Sequence, residues 1–203
     1  MLKENTFFRN LQARIGNYLK QSSITPNQIT FFSVVLAASG AFVFSQSYYF
    51  VGVVFFLAAV ILDGIDGAIA RAKGLVSPVG AFFDGIADRI VEFFIILSLL
   101  SVNLPTFIFP AQYWLFSLLF FGTCMTAFIK AYAEHQQVLS HSVAVSMSGL
   151  LERAERTLLL LLACFLVAFS HAFYALMVIL LAVILSIFTV IQRLHFVLSI
   201  KST

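Results

Sequence analysis

Three long stretches of this chain carry no Asp, Glu, Lys or Arg: residues 21–62, 93–129 and 157–192, which run for 42, 37 and 36 residues. One helical crossing of a bilayer takes about 20 apolar residues at 1.5 Å of rise each, so each stretch holds one crossing out and most of one crossing back. Six membrane helices are therefore expected. The far-side turns should fall near residues 45–49, 102–111 and 170–173, none of which carries a formal charge. Composition excludes the soluble alternative. With 61% of the 203 residues hydrophobic and only 10% charged, the chain has too much apolar surface for one domain of this size to hide from water. The expected fold class is an all-α integral membrane protein.

The twelve Lys and Arg then lie at or near one face, with Lys3, Arg9, Arg14 and Lys20 before the first crossing and Arg193 and Lys201 after the last. The positive-inside rule makes that face cytoplasmic and puts both termini there, in a multi-pass protein of the cell membrane. Residues 1–24, basic and amphipathic and running into the turn SSITPNQIT, suit an interfacial helix and turn rather than a signal peptide. Residues 25–203 would form the six-helix bundle, the whole chain being one domain. The polar loop from Glu134 to Ser148 is too short to fold alone. A net charge of +3 without aromatic interleaving speaks against a nucleic-acid partner. Cys124 and Cys164 sit in apolar runs as packing residues, and the four His show no ligand spacing.

Against this background, DGIDGAIARAKGLVSPVGAFFDGIAD, residues 63–88, holds four carboxylates among apolar neighbours. Asp63, Asp66, Gly67 and Ala70 share one helical face at the cytoplasmic end of the second crossing, and Gly80, Asp84 and Asp88, four apart, share another at the start of the third. Gly74 is a helix stop, and Ser77-Pro78 a cap followed by proline at the first helical position. The short connection makes the helices antiparallel neighbours, so their acidic faces can meet. Four carboxylates at close range need cations to offset them. Oxygen ligands favour hard ions, here Mg²⁺ or Mn²⁺, and two ions about 3.5 to 4 Å apart would suit displacement at phosphorus. Gly67 and Gly80 would let a nucleotide or phosphate approach closely, and Arg71 can neutralise a diphosphate. Charges in a membrane are costly and default to function.

The pattern Asp63-x-x-Asp66-Gly67-x-x-Ala70-Arg71, eight residues, Gly80-x-x-x-Asp84-x-x-x-Asp88 resembles the signature of the CDP-alcohol phosphotransferases at every position. The resemblance implies a transferase of phospholipid biosynthesis, in which an alcohol attacks the phosphorus next to the lipid of CDP-diacylglycerol or CDP-archaeol and CMP is released. It further implies that Asp63, Asp66 and Asp84 bind the metal pair, and that Asp88 contributes to the site and acts as general base. Gly67, Gly80 and Arg71 would cradle the nucleotide and diphosphate, with Asn27 and Thr30 near the nucleotide end. A homodimer is also implied.

The acceptor must be read elsewhere. Lys130 closes the fourth crossing, and Arg153 and Arg156, three apart, share a face at the start of the fifth; three cations suit a phosphate dianion. KAYAE followed by ERAER resembles the corresponding segments of family members that use inositol phosphate, with Tyr132 where their pattern has Arg. Inositol 1-phosphate is the expected polyol phosphate, with glycerol 3-phosphate or another alcohol as the alternative. A divalent-cation transporter is the alternative from another class, since intramembrane carboxylates also line ion paths. The clustering of the carboxylates at one side and the lack of an inverted repeat weigh against it.

Overall fold

The computed structural model describes residues 21–200 and, before them, Arg14 and Tyr18. The interfacial helix expected over residues 1–24 lies outside the described residues, save for its closing turn. Seven helices are described: α1 (Pro26–Ser45), α2 (Tyr49–Lys73), α3 (Pro78–Leu100), α4 (Ala111–His135), α5 (His141–Ser146), α6 (Arg153–Ala168) and α7 (Ala172–Ile200). No β-strand occurs among the described residues, only an isolated bridge between Phe107 and Phe109. The chain divides into two compact units, Met1–Ser98 and Leu99–Thr203.

In the first unit, local chemistry fixes each helix end. Thr25 opens α1 with a capping box: its hydroxyl accepts from Gln28 N, and Gln28 Oε1 accepts from Thr25 N at 2.9 Å, with Pro26 next. At the far turn Gln46–Tyr48, the chain reverses and α2 runs back along α1. Two glycines let these helices touch: a Cβ built on Gly52 would stand 2.8 Å from Phe44 Cβ, and one on Gly40 2.9 Å from Phe55 Cβ. Phe44 and Phe56 fill the buried seam. At the near end Lys73 donates to Ser22 O at 2.6 Å and Ile24 O at 2.7 Å, which ties the chain entering α1 to the end of α2. Gly74 then ends α2 with φ of 67°, a left-handed conformation that glycine adopts without a Cβ penalty. Ser77 Oγ accepts from Gly80 N at 3.0 Å and starts α3 on Pro78.

The expected turns are all present. α1 ends at Ser45 and α2 begins at Tyr49, α3 ends at Leu100 and α4 begins at Ala111, α6 ends at Ala168 and α7 begins at Ala172. Four helices, α1, α2, α4 and α7, are long and apolar enough to cross a membrane. The other two expected crossings differ for identifiable reasons: α3 carries Asp84, Asp88, Arg89 and Glu92, and α6 has only 16 residues. Large apolar side chains such as Phe42, Val54, Phe116 and Leu181 are exposed along the four long helices. Helices apolar all round are those of a membrane protein.

The second unit departs from expectation in three places. First, α4 is not α-helical throughout: residues Leu118–Met125 form a π-helix. Second, the polar stretch 134–148 contains α5, and Ala133, Leu139, Ala144 and Met147 form a small apolar cluster beneath it, with Val197 packed against them. His141 Nδ1 lies 2.8 Å from Glu134 Oε1 above that cluster. Third, Arg193 does not follow the last crossing as an interfacial anchor. It lies inside α7, 3% exposed, and its guanidinium grips both oxygens of Glu152, at 2.8 and 2.9 Å, while donating to Thr126 O. Nearby, Thr189 and Gln192 accept from Leu151 N and Leu150 N, each at 2.9 Å. α7 thereby holds the segment that leads into α6.

Candidate active site

The carboxylates of α2 and α3 meet within the first unit. Asp63, Asp66 and Asp84 each present an oxygen, and these three atoms lie within 4.8 Å of one another. Asp66 is buried and its neighbours are partly buried. The side chain of Asp66 is held at both oxygens: Thr30 of α1 donates to Oδ2 at 2.5 Å, and Gly67 N donates to Oδ1 at 2.5 Å. A carboxylate has about four lone-pair positions, so one hydrogen bond on each oxygen leaves room for a cation. An oxygen-only set of three carboxylates, partly out of water, fits a hard divalent ion.

Asp88 stands outside that group of three, one turn further along α3 and buried. Arg89 Nη1 lies 3.7 Å from Asp88 Oδ2 and donates to Gly85 O at 2.5 Å. Arg89 was not singled out in the sequence, because its spacing from Asp88 puts it off the acidic stripe.

Of the remaining first-unit residues, Gly67 and Arg71 lie on α2 and Gly80 on α3, the helices that carry the carboxylates, and Asn27 lies on α1. Gly67 leaves an open surface on α2, where a built Cβ would meet only Arg71 Nη1, at 3.4 Å. Gly80 faces the start of α1: a built Cβ would lie 3.1 Å from Ser77 Oγ and 3.7 Å from Asn27 Oδ1. Asn27, Thr30, Asp63, Asp66, Gly67, Arg71, Gly80, Asp84 and Asp88 thus all belong to one compact unit. Beside Asn27, Phe31, Phe32 and Phe83 line an apolar groove.

Lys130, Arg153 and Arg156 belong to the second unit. Arg156 is buried at 4% exposure, while Lys130 and Arg153 are half-buried. Tyr132 is exposed and stacks on Phe128, with ring centroids 5.0 Å apart. Residues two apart on a helix do not share a face, so Tyr132 points away from Lys130. The Glu152–Arg193 pair escaped the sequence because its members are 41 residues apart, though a lone Arg deep in an apolar helix was itself a signal for a partner.

The sequence pattern of the CDP-alcohol phosphatidyltransferase family matches residues 23–190, most of the chain and both units. The chain belongs to that family. As a CDP-alcohol phosphatidyltransferase it is an enzyme that transfers a substituted phosphate group, and the transporter alternative falls. It is similar to the archaetidylinositol phosphate synthase of Pyrococcus horikoshii, at 32% identity over 90% of this chain and 88% of that one. It is also similar to the bifunctional IPC transferase and DIPP synthase of Aquifex aeolicus, at 29% identity over 91% of this chain but only 43% of that one. Among solved structures it matches the phosphatidylinositol phosphate synthase of Mycobacterium tuberculosis at 26% identity. The form with CDP-DAG bound gives a TM-score of 0.76 over 93% of this chain and 94% of that one. The form in complex with manganese and citrate gives 0.74 over 92% and 88%.

Proposed function

We propose that this phosphatidyltransferase moves a phosphatidyl-type group from a CDP-linked lipid, CDP-diacylglycerol or CDP-archaeol, to a hydroxyl of inositol 1-phosphate, releasing CMP. The observation that carries the reading is the three-carboxylate group Asp63, Asp66 and Asp84 in a chain of this family, with Gly67 and Arg71 on α2, Gly80 on α3 and Asn27 on α1. The three carboxylates are assigned to a pair of Mg²⁺ or Mn²⁺ ions, with Asp88 contributing. When bound, such ions withdraw charge from the diphosphate and favour departure of CMP. Gly67 leaves the surface of α2 bare for the nucleotide, Gly80 lets Asn27 of α1 approach α3 at the nucleotide end, Arg71 offsets diphosphate charge, and Thr30 orients Asp66. Asp88 takes the proton from the acceptor hydroxyl as its oxygen bonds to the phosphorus next to the lipid. The bond from that phosphorus to the bridging oxygen breaks, and CMP leaves with both electrons.

The acceptor phosphate is assigned to Lys130, Arg153 and Arg156. Support comes from the similarity to two inositol-phosphate-lipid synthases and from the burial of Arg156, which an interfacial anchor would not need. The departure at Tyr132 does not weaken this reading, because that residue is off the face of Lys130. The chain is read as one domain of six crossings, α3 and α6 included, since one family pattern runs through both units. Arg71 and Lys73 at the carboxylate end of α2 favour a cytoplasmic site in the cell membrane, and the family resemblance favours a homodimer.

The test is CMP release by the purified protein in detergent with CDP-diacylglycerol or CDP-archaeol and Mg²⁺ or Mn²⁺, offering inositol 1-phosphate, glycerol 3-phosphate, free inositol and serine separately. Release with inositol 1-phosphate alone is the expected result. Release with glycerol 3-phosphate instead would keep the chemistry and discard the acceptor.

A further inference from the structure

The π-helical stretch of α4 raises a question that the catalytic reading leaves open. A π-helix is rare, and within a longer helix it marks functional sites more often than chance. Its register shift also rotates the downstream turns, those that carry Lys130, relative to the upstream ones. Within it, Gly122 is buried. A Cβ built there would stand 2.8 Å from Arg156 Cδ, 3.0 Å from Ser186 Oγ and 3.2 Å from Leu118 Cδ1. The tightest of these contacts is with the last carbon of the Arg156 stem, next to the guanidinium, from a residue 34 positions away on α6. Arg156 is also the one buried member of the cationic trio.

A long side chain whose stem rests against bare backbone has fewer rotamers open to it than one in a loose slot, so its head is held more narrowly. We propose that Gly122 is a positioning residue for Arg156: the missing side chain makes the seat for the Arg156 stem and so fixes where the guanidinium meets the acceptor phosphate. The inference rests on the assignment of Arg156 to that phosphate. It adds a specificity-determining position in a helix that bears no charge at that level, and gives the π-helical stretch a role in acceptor binding. Gly122 itself touches no substrate.

Gly122→Ala tests this, read by steady-state kinetics with inositol 1-phosphate and CDP-diacylglycerol. A misplacement of about 1 Å at a binding group can cost up to about a hundredfold. The acceptor KM should rise by about tenfold or more, with the KM for CDP-diacylglycerol within about twofold of the parent. Because the effect runs through Arg156, Gly122→Ala and Arg156→Ala should not add: the double variant should match Arg156→Ala alone within about twofold. Additive effects, or equal rises in both KM values, would mean a general packing role and overturn the proposal. A normal acceptor KM in Gly122→Ala, with a raised one in Arg156→Ala, would overturn it while leaving the acceptor reading intact. A normal acceptor KM in Arg156→Ala would remove that reading and this proposal together. If Gly122→Ala does not fold, judged by loss of metal-dependent CMP binding, the double variant lacks Arg156 Cδ and should recover that binding. Failure of both would place the clash at Ser186 and Leu118 and refute the seat.

Discussion

Thr30 donates its hydroxyl hydrogen to Asp66 Oδ2 at 2.5 Å, joining α1 to the acidic face of α2. The bond is buried, and it holds a carboxylate that has an oxygen within 4.8 Å of oxygens of Asp63 and Asp84. Partners of this kind orient a metal-binding carboxylate, and losing one costs about 10- to 100-fold in metal affinity or activity. Thr30→Val preserves the shape and removes the donor. CMP release should fall by about tenfold at low Mg²⁺ and recover in part at high Mg²⁺. A Mg²⁺ titration of initial rates checks this, and an unchanged titration would leave Thr30 a packing residue only.

Asp88 is treated differently by the fold. It lies one turn past Asp84 and outside the group of three, with Arg89 at 3.7 Å. A general base is worth about 10²- to 10⁴-fold in rate, whereas the proposed function gives nucleotide binding to Asp63, Asp66 and Asp84. Asp88→Asn should therefore lower kcat by at least about a hundredfold and keep metal-dependent CMP binding, measured by calorimetry in detergent. Normal turnover in this variant would remove Asp88 as the base.

The clamp between Glu152 and Arg193 predicts an asymmetry. The Arg193 side chain is 4% exposed, while that of Glu152 is 40% exposed. Removing Glu152 leaves a buried guanidinium with the Thr126 carbonyl but no counter-charge, whereas removing Arg193 leaves a carboxylate that water can reach. Uncompensated buried charge is the larger cost, about 3 kcal/mol or more, and a lost charge-assisted bond about 1.5–3 kcal/mol. Thermal unfolding in detergent should thus show Glu152→Ala less stable than Arg193→Met. The reverse order would mean that the packing of the Arg193 stem matters more than its charge.

The parts of this fold that sequence reveals are those set by short-range chemistry. Gly74 and Ser77-Pro78 mark a turn because each acts on its own backbone, and Asp63, Asp66, Asp84 and Asp88 fall into stripes because helical spacing is fixed. The uncharged stretches likewise reveal their midpoints, since length alone divides them. What sequence conceals depends on contacts between distant residues. The π-helical stretch 118–125 has no local signature and lies against Arg156 and Ser186 from other helices. The polar composition of residues 134–148 hides Leu139, Ala144 and Met147, which matter only once Ala133 and Val197 are beside them. Arg193 looks like an anchor until Glu152 is brought to it.

Gly67 and Gly52 differ in what an added side chain would meet. At Gly52 a Cβ would strike Phe44 at 2.8 Å, so that glycine serves the α1–α2 seam. At Gly67 a Cβ would meet only the far end of the flexible Arg71 side chain, at 3.4 Å, so the fold itself can accept alanine there. Alanine also favours the helix by roughly 1 kcal/mol over glycine. Gly67→Ala should keep or slightly raise the unfolding temperature while weakening CMP binding by about tenfold, because about 1.4 kcal/mol of lost contact corresponds to that factor. Gly52→Ala should lower the unfolding temperature instead. Calorimetric CMP binding and thermal unfolding on the two variants check the contrast. Unchanged CMP affinity in Gly67→Ala would mean that the nucleotide does not approach α2 at this point, and would move the diphosphate away from Arg71.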